Sequence, residues 1–401
     1  MWLPRSRFAD VAAVANATLT LGPYPGALFD LARAQSATGQ PRQALGNYQQ
    51  ALHLYREEGD RGNEGATLND IGAAYDRLGD RERALTYFGQ ALSITREVGD
   101  RVGEATALNN IGAAYRRLGD WDRALTYYQQ ALPIAREVGD REGEAATLSN
   151  IGITYANWGD REQALAHYAQ SLPIQREIGD RAGEAITLNN IGRMYGRFGD
   201  QEQALAHYAQ ALPIRREVGD RGGEAATLNN IGMAYERLGD VQRALTYYEQ
   251  ALPIAREVGD PNGEATTVSN IGMVYDRLGE PEQALAHYAR ALAIQREVGD
   301  RVGEAITLSN SATVRFHQGD LVGAKDAFDR ALEALRAVGD RRSEAAASAN
   351  MAVLLFTMTQ MDQAVEYQRR AVRLAEQTNH PELDQMRAIL AQMLDAGGGE
   401  R

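Results

Sequence analysis

The dipeptide Gly-Asp recurs every 20 residues. It stands at Gly59-Asp60, Gly79-Asp80, Gly99-Asp100 and onward to Gly339-Asp340, with Gly279-Glu280 the one departure in that run. Glycine takes the left-handed conformation that closes a helix without a Cβ penalty. Aspartate next to it is a strong N-cap for the following helix. Each block therefore reads as one helix of up to ~18 residues, about 27 Å long, followed by a two-residue turn. Turns that short make successive helices antiparallel.

The sequence between these marks repeats at 40 residues, so the unit is a helix pair. Nine units follow: 23–60, 61–100, 101–140, 141–180, 181–220, 221–260, 261–300, 301–340 and 341–380. In the unit 101–140 the first helix carries Leu108, Ile111, Gly112, Tyr115 and Leu118. At 100° per residue these lie within one arc of about 120°. The second helix carries Ala124, Leu125, Tyr128, Ala131, Leu132 and Ile134 on one stripe. Gly112, Ala124 and Ala131 are small where helices cross closely, and Tyr115 and Tyr128 fill the space beside them. The end units are degenerate: Ala312 and Ala352 replace the helix glycine, and Gln368 replaces the second aromatic. Degenerate ends are the mark of capping repeats. Residues 1–22 read as an irregular start and a short capping helix. Residues 381–396, opening at Pro381 with Leu383, Met386, Ile389, Leu390 and Met393 on one face, read as a C-terminal capping helix. The segment 397–401 reads as a disordered tail.

Pro133, Pro173, Pro213 and Pro253 fall two-thirds of the way along the second helix. Proline removes a backbone hydrogen bond and crowds the carbonyl four residues back. The apolar stripe continues beyond it, so a bend is expected rather than a break. Ser93 and Ala293 hold the position in the second and seventh units, where the bend should be absent.

The constellation Leu108, Ile111-Gly112, Tyr115, Ala124 and Tyr128 resembles the tetratricopeptide repeat. It departs in having leucine for tryptophan and 40 residues for 34. The longer unit with its Gly-Asp-Arg-x-Gly-Glu-Ala segment looks like the subgroup found in spindle-orientation adaptors of the Pins/LGN type. It is also similar to helical arrays attached to bacterial signalling ATPases and proteases. The resemblance implies an all-α fold, an α-solenoid in which antiparallel helix pairs wind as a right-handed superhelix. It further implies that the first helices line the concave inside.

On that premise the face of the first helix opposite its core stripe is a groove wall. It carries a recurrent asparagine: Asn110, Asn150, Asn190, Asn230, Asn270 and Asn310, with Asp70 in the second unit. Asparagine is a poor helix residue, so its recurrence needs a reason. An amide offers an acceptor and two donors, and can bond both the C=O and the N–H of an extended backbone whatever its sequence. In the resembling adaptors and in chaperone-binding relatives, an asparagine at this site contacts bound peptide. The alternative is a structural ladder in which the asparagines bond a neighbouring helix and align adjacent repeats. The companion position holds Asn109, Asn189 and Asn229, but Ser149, Ser269 and Ser309. Further along the same face stand Ala113, Ile153, Arg193, Met233 and Met273, then Arg117, Asn157, Arg197, Arg237 and Arg277, with Arg116 beside Arg117. Variable chemistry on a constant frame is what ligand specificity requires. A last-turn arginine also suits the helix dipole and could pair with the aspartate that follows. Arg116, Arg117, Arg193 and Arg197 make part of the wall basic, and Ile153, Met233, Met273, Ile186 and Ile306 add apolar patches. The expected ligand is an extended protein segment with acidic and apolar residues.

Other chemistry is set aside on physical grounds. His167, His207 and His287 recur one repeat or more apart, roughly 18 Å at packing distances of 8–10 Å, too far to share a metal with ligand bonds of about 2.1 Å. They read as outer-face residues. Glu104, Glu144, Glu184, Glu224 and Glu264 sit in a first helical turn, where they suit the dipole and can pair with Arg96, Arg136 and their equivalents. The chain has no cysteine, hence no disulfide or thiol chemistry, which fits a reducing cytoplasm. The net charge of −12 disfavours nucleic acid and anionic membranes. No nucleophile–base pair, phosphate loop or metal spacing is present, so neither an enzyme nor a cofactor is expected. No apolar run approaches the ~18 residues of a membrane span, and the start MWLPRSRFADVAAVANATLTL is too weakly apolar for a signal peptide. A scaffold that binds an extended partner segment is the first reading. A sensor array working with a signalling ATPase or protease is the second, and an end-to-end assembly module the third. A monomer is expected, with a homo-oligomer as the alternative.

Overall fold

A computed structural model describes residues 5–378, 380 and 382–398. Among these there are twenty helices and no strand. The chain forms two compact units, divided after Phe198. The first holds α1 (Arg5–Leu19), α2 (Pro25–Ala37), α3 (Pro41–Glu58), α4 (Arg61–Arg77), α5 (Arg81–Val98), α6 (Arg101–Arg117), α7 (Trp121–Glu137), α8 (Arg141–Trp158), α9 (Arg161–Glu177) and α10 (Arg181–Arg197). The second holds α11 (Gln201–Glu217), α12 (Arg221–Arg237), α13 (Val241–Glu257), α14 (Pro261–Arg277), α15 (Pro281–Val298), α16 (Arg301–His317), α17 (Leu321–Val338), α18 (Arg341–Thr357), α19 (Met361–Gln377) and α20 (Leu383–Gly398). Pro381 and residues 399–401 of the expected tail lie outside the described residues.

The punctuation works as its chemistry dictates. Gly119 has φ +79°, and Asp120 accepts the Arg123 N–H at 3.1 Å, closing one helix and opening the next. Where the cap residue is Glu280, its side chain makes no cap bond. The helices run on through Pro133, Pro173, Pro213 and Pro253.

Packing within each pair rests on an aromatic ring of the second helix seated on a glycine of the first. A Cβ on Gly112 would lie 2.6 Å from the Tyr128 ring, and Gly152 with Tyr168 and Gly232 with Tyr248 repeat the distance. Tyr128, Tyr168 and Tyr248 are fully buried. Burying such a ring contributes about 1.5–3 kcal/mol. Adjacent first helices also touch, α4 with α6, α6 with α8 and α8 with α10 in one unit, α12 with α14, α14 with α16 and α16 with α18 in the other. Second helices of successive repeats do not approach one another to that extent. The first helices therefore form the inner side of each unit.

The opposite turns carry an ionic lattice. Arg96, ending α5, donates to Glu104 Oε1 at 2.8 Å, while Arg101 donates to Glu104 Oε2 at 2.5 Å and to Glu137, ending α7, at 2.8 Å. The pairing of Arg96 and Arg136 with Glu104 and Glu144 was legible in the sequence. The second arginine, Arg101, which extends the cluster from α5 and α6 to α7, was not. Burial alone would push the Glu104 carboxyl up, but the two guanidiniums outweigh it and hold it below its ordinary value.

Candidate functional site

The inner face of each unit is built by residues one repeat and one position apart. Asn110 Nδ2 donates to Asn69 Oδ1 at 3.0 Å, and Asn150 Nδ2 to Asn109 Oδ1 at 3.2 Å. In the second unit Asn270 Nδ2 donates to Asn229 Oδ1 at 3.1 Å. The two asparagine positions thus do different things. Asn229 is loaded, since its Oδ1 also accepts from the Thr267 hydroxyl at 3.3 Å. Where serine replaces the companion asparagine, the hydroxyl bridge continues: Ser149 to Thr187 at 3.2 Å and Ser269 to Thr307 at 3.3 Å. Asn110, Asn150 and Asn270 use one N–H each in this ladder and are half-buried. Each amide has a second N–H and a carbonyl oxygen besides the N–H used in this bond. Asn190, Asn230 and Asn310 are half-buried on the same face of their own helices, and Asn189 is buried.

The arginines obey the same spacing. Arg117 pairs with Asp76, one repeat back. Arg277 binds Glu236 at 3.0 Å through its side chain and takes the Glu236 carbonyl at 3.2 Å. Arg197 donates to the Ala156 carbonyl at 2.7 Å. Arg117 and Arg277 thus bond to the preceding repeat, whereas Arg315, in the last turn of α16, pairs with Asp320, the aspartate that follows it. Arg237 is exposed at the equivalent position. Sequence reasoning missed the partner acids Asp76 and Glu236. The signal was a separation of 41 residues, an acid at one first helix matched by an arginine at the next.

Repeat 141–180 breaks this pattern with Ala156 and Asn157. There Arg116 from one side and Arg193 from the other both act on the Tyr168 hydroxyl, opposing the burial that pushes it up. The Arg116 Nε is buried without a hydrogen-bond partner, and Arg193 is exposed. In the second unit the buried Glu236 is pushed up by burial against the pull of Arg277, and accepts from the Tyr248 hydroxyl at 3.3 Å. Asp70, the departure from the asparagine series, is likewise pushed up by burial with Arg33 opposing, and accepts from the Tyr48 hydroxyl at 3.4 Å.

Ile153, Met233 and Met273 are half-buried, so they offer edges rather than patches. Ile186 and Ile306 are more open, at 42% and 43% exposure. The histidines are half-buried too: His167 stacks on Tyr155 at 5.4 Å and His287 on Tyr275 at 5.1 Å. No group of three or more metal-ligating side chains occurs among the described residues, and no helix there is long and apolar enough to cross a membrane.

The sequence profile of the tetratricopeptide repeat family matches residues 24–97, 103–177, 159–217, 223–297 and 303–377. No curated protein sequence matches the chain. Among solved structures the chain is similar to a signal transduction ATPase with numerous domains that carries a tetratricopeptide repeat sensor, from Pyrococcus horikoshii. That match has 14% identity and a TM-score of 0.64, and covers 91% of this chain and 55% of that one. The apo form of the quorum sensor NprR from B. thuringiensis matches at 18% identity and a TM-score of 0.60, covering 85% of this chain and 99% of that one. The apo form of RapI matches at 21% identity and a TM-score of 0.56, covering 69% and 99%. Identities this low establish a shared fold.

Proposed function

The chain belongs to the tetratricopeptide repeat family, whose arrays bind proteins and peptides, and from that premise we propose that it is an interaction scaffold that holds an extended partner segment along its first helices. The observation that carries this reading is the half-used amide. Asn110, Asn150 and Asn270 each commit one N–H to the neighbouring repeat, which fixes the side chain and leaves an N–H and an oxygen of each amide outside that bond. A pre-positioned amide of that kind clasps a peptide backbone at little ordering cost. Arg116 and Arg193 add carboxylate recognition, and Ile186 and Ile306 apolar contact, which favours a segment with acidic and apolar residues. The aligning role and the binding role of the asparagines are then one design rather than alternatives.

A displayed library of random peptides tests it. Peptides enriched by the intact protein should be lost on a variant carrying Asn150→Ala, Asn190→Ala and Asn230→Ala. They should be kept by Thr126→Ala with Gln130→Ala on the exposed face of α7. Equal enrichment on all three proteins would end the reading. A sensor array is the second reading, and the similarity to the repeat sensor of the P. horikoshii ATPase and to a quorum sensor supports it. It requires a change of dimensions on peptide binding in small-angle scattering, which a passive scaffold does not show. The likeness to spindle-orientation adaptors rests on the repeat sequence alone.

A further inference from the structure

Between α6, the end of α7 and the start of α8 lies an open notch of about 290 Å³. Its floor is Ala135, its sides include Asn109, Asp140, Gly143 and Thr147, and it opens beside the exposed Thr106. The same place in other repeats is filled by the chain itself. The position of Ala135 is Gln175, Arg215 and Gln295 one, two and four repeats later. Gln175 and Gln295 reach in so far that a Cβ on Gly183 or Gly303 would lie 2.9 Å from their Nε2 atoms. Arg215, buried, lies over Gly223 and pairs with Asp220, the equivalent of Asp140.

These internal copies show what the notch receives. The Gln295 amide donates to the Thr307 hydroxyl at 3.0 Å, and Thr307 is the equivalent of Thr147. Where the notch is filled, the Gln295 amide N–H and one Arg215 guanidinium N–H find partners, while the buried Gln175 and Gln295 carbonyl oxygens and the Arg215 Nε are left without one. In the vacant copy Asp140 uses Oδ1 for the Gly143 N–H at 2.9 Å, which leaves Oδ2, the atom that Arg215 engages at Asp220, facing the notch. Guanidinium is a side-chain head with five donors and no acceptor, and it pairs well with carboxylate.

We propose that the Ala135 notch is a specificity pocket for an arginine side chain of the bound segment, which takes the place that Arg215 fills from within. Repeat six carries the same residue types, Ala255, Asp260, Asn229 and Thr267, with the Thr267 hydroxyl already bonded to Asn229, and it is the second place where the proposal applies. The biological role rests on the reading of the inner face as a peptide surface, but the pocket itself can be tested without a peptide.

The probe is N-acetyl-arginine amide, titrated into the isotope-labelled full chain and followed by NMR. Saturable shifts are expected at Asn109, Gly143 and Thr147. In a protein with Ala135→Arg and Ala255→Arg, binding should weaken at least about tenfold, equivalent to ~1.4 kcal/mol. That variant copies a combination the chain already carries, asparagine with arginine in repeat five, and Ala135→Gln with Ala255→Gln is the second filled form. Asp140→Asn, which keeps the cap acceptor, should weaken binding at Gly143 and Thr147 while sparing repeat six. N-acetyl-citrulline amide, the uncharged isostere, should bind at least about tenfold less well. Shifts that persist in both filled proteins, or citrulline binding as tightly as arginine, would overturn the pocket. Neither result touches the asparagine variants, on which the peptide reading stands or falls.

Discussion

At the scale of the residue, the approach of two helices is decided by one missing methyl group. A Cβ on Gly112 meets the Tyr128 ring at 2.6 Å, which forces a shift of ring or helix. Yet the chain holds alanine there in its outer repeats, Ala32 over Tyr48 and Ala312 over Phe328, all buried. Repeat nine takes another route, with Ala352 facing Gln368 in place of a ring. Gly112→Ala should therefore be nearly neutral, the strain offset by about 1 kcal/mol of helix propensity. Gly112→Leu has no internal precedent and should cost on the order of 1–3 kcal/mol. Denaturant midpoints of the two variants measure the difference, and a leucine protein as stable as the alanine one would refute this packing. The glycine and its ring were legible because both sit on the core stripe of one helix pair. The partners of Arg117 and Arg277 were not, because a helical wheel carries no register between repeats. Only the 41-residue separation does.

At the scale of the element, the end signals within the Gly-Asp run were legible, and its aspartate caps bond as their chemistry requires, whereas before α19 the non-glycine Thr359 takes a φ of +60° and Gln360 makes no cap bond. What sequence left open was how the second helix tolerates its proline. The helix continues through Pro173, so the cost falls on the Ala169 carbonyl, which loses its usual N–H donor. The same position is Ser93 in α5 and Ala293 in α15, and those helices pack in the same pairwise way. Pro173→Ala should restore the bond and raise stability by about 1 kcal/mol, less than the ~3 kcal/mol penalty of an unaccommodated interior proline. A crystal structure should show the axis of α9 straighter in the variant, matching α5. Identical axes in α5, α9 and the variant would mean that proline sets no curvature. The vacancy at Ala135 was hidden for a related reason. The position lies on the core side of its helix, where alanine reads as packing, and only its exchange for Gln175, Arg215 and Gln295 reveals that the space is optional.

At the scale of the whole molecule, the same clasp recurs along both units, so its titration sums. Glu64, Glu104, Glu144 and Glu304 would each be raised by burial, but paired guanidiniums hold them below the ordinary value. Asp60, Asp80 and Asp320 are lowered first by the backbone N–H groups they cap, and Glu257 by its bond from Arg221. A carboxylate whose folded value is depressed contributes stability that is complete above its unfolded value, about 4, and lost as pH falls through the folded value. Asp70 and Glu236 act in the opposite sense, since burial raises them and protonation relieves their cost. The lowered groups outnumber the raised ones, so the thermal midpoint should fall steadily as pH drops from about 5 toward 3. The slope should lessen in 1 M salt, because the arginine arms of each clasp are exposed and screened. Glu104→Gln with Glu144→Gln should lower stability at pH 7 by about 1 kcal/mol per clasp, discounted for those exposed arms. The same variant should lose part of its acid sensitivity, because two of the titrating groups are gone. A midpoint lowered at pH 7 with an unchanged acid slope would mean that the glutamates stabilise by packing alone, and the lattice would then be a steric seam rather than an ionic one.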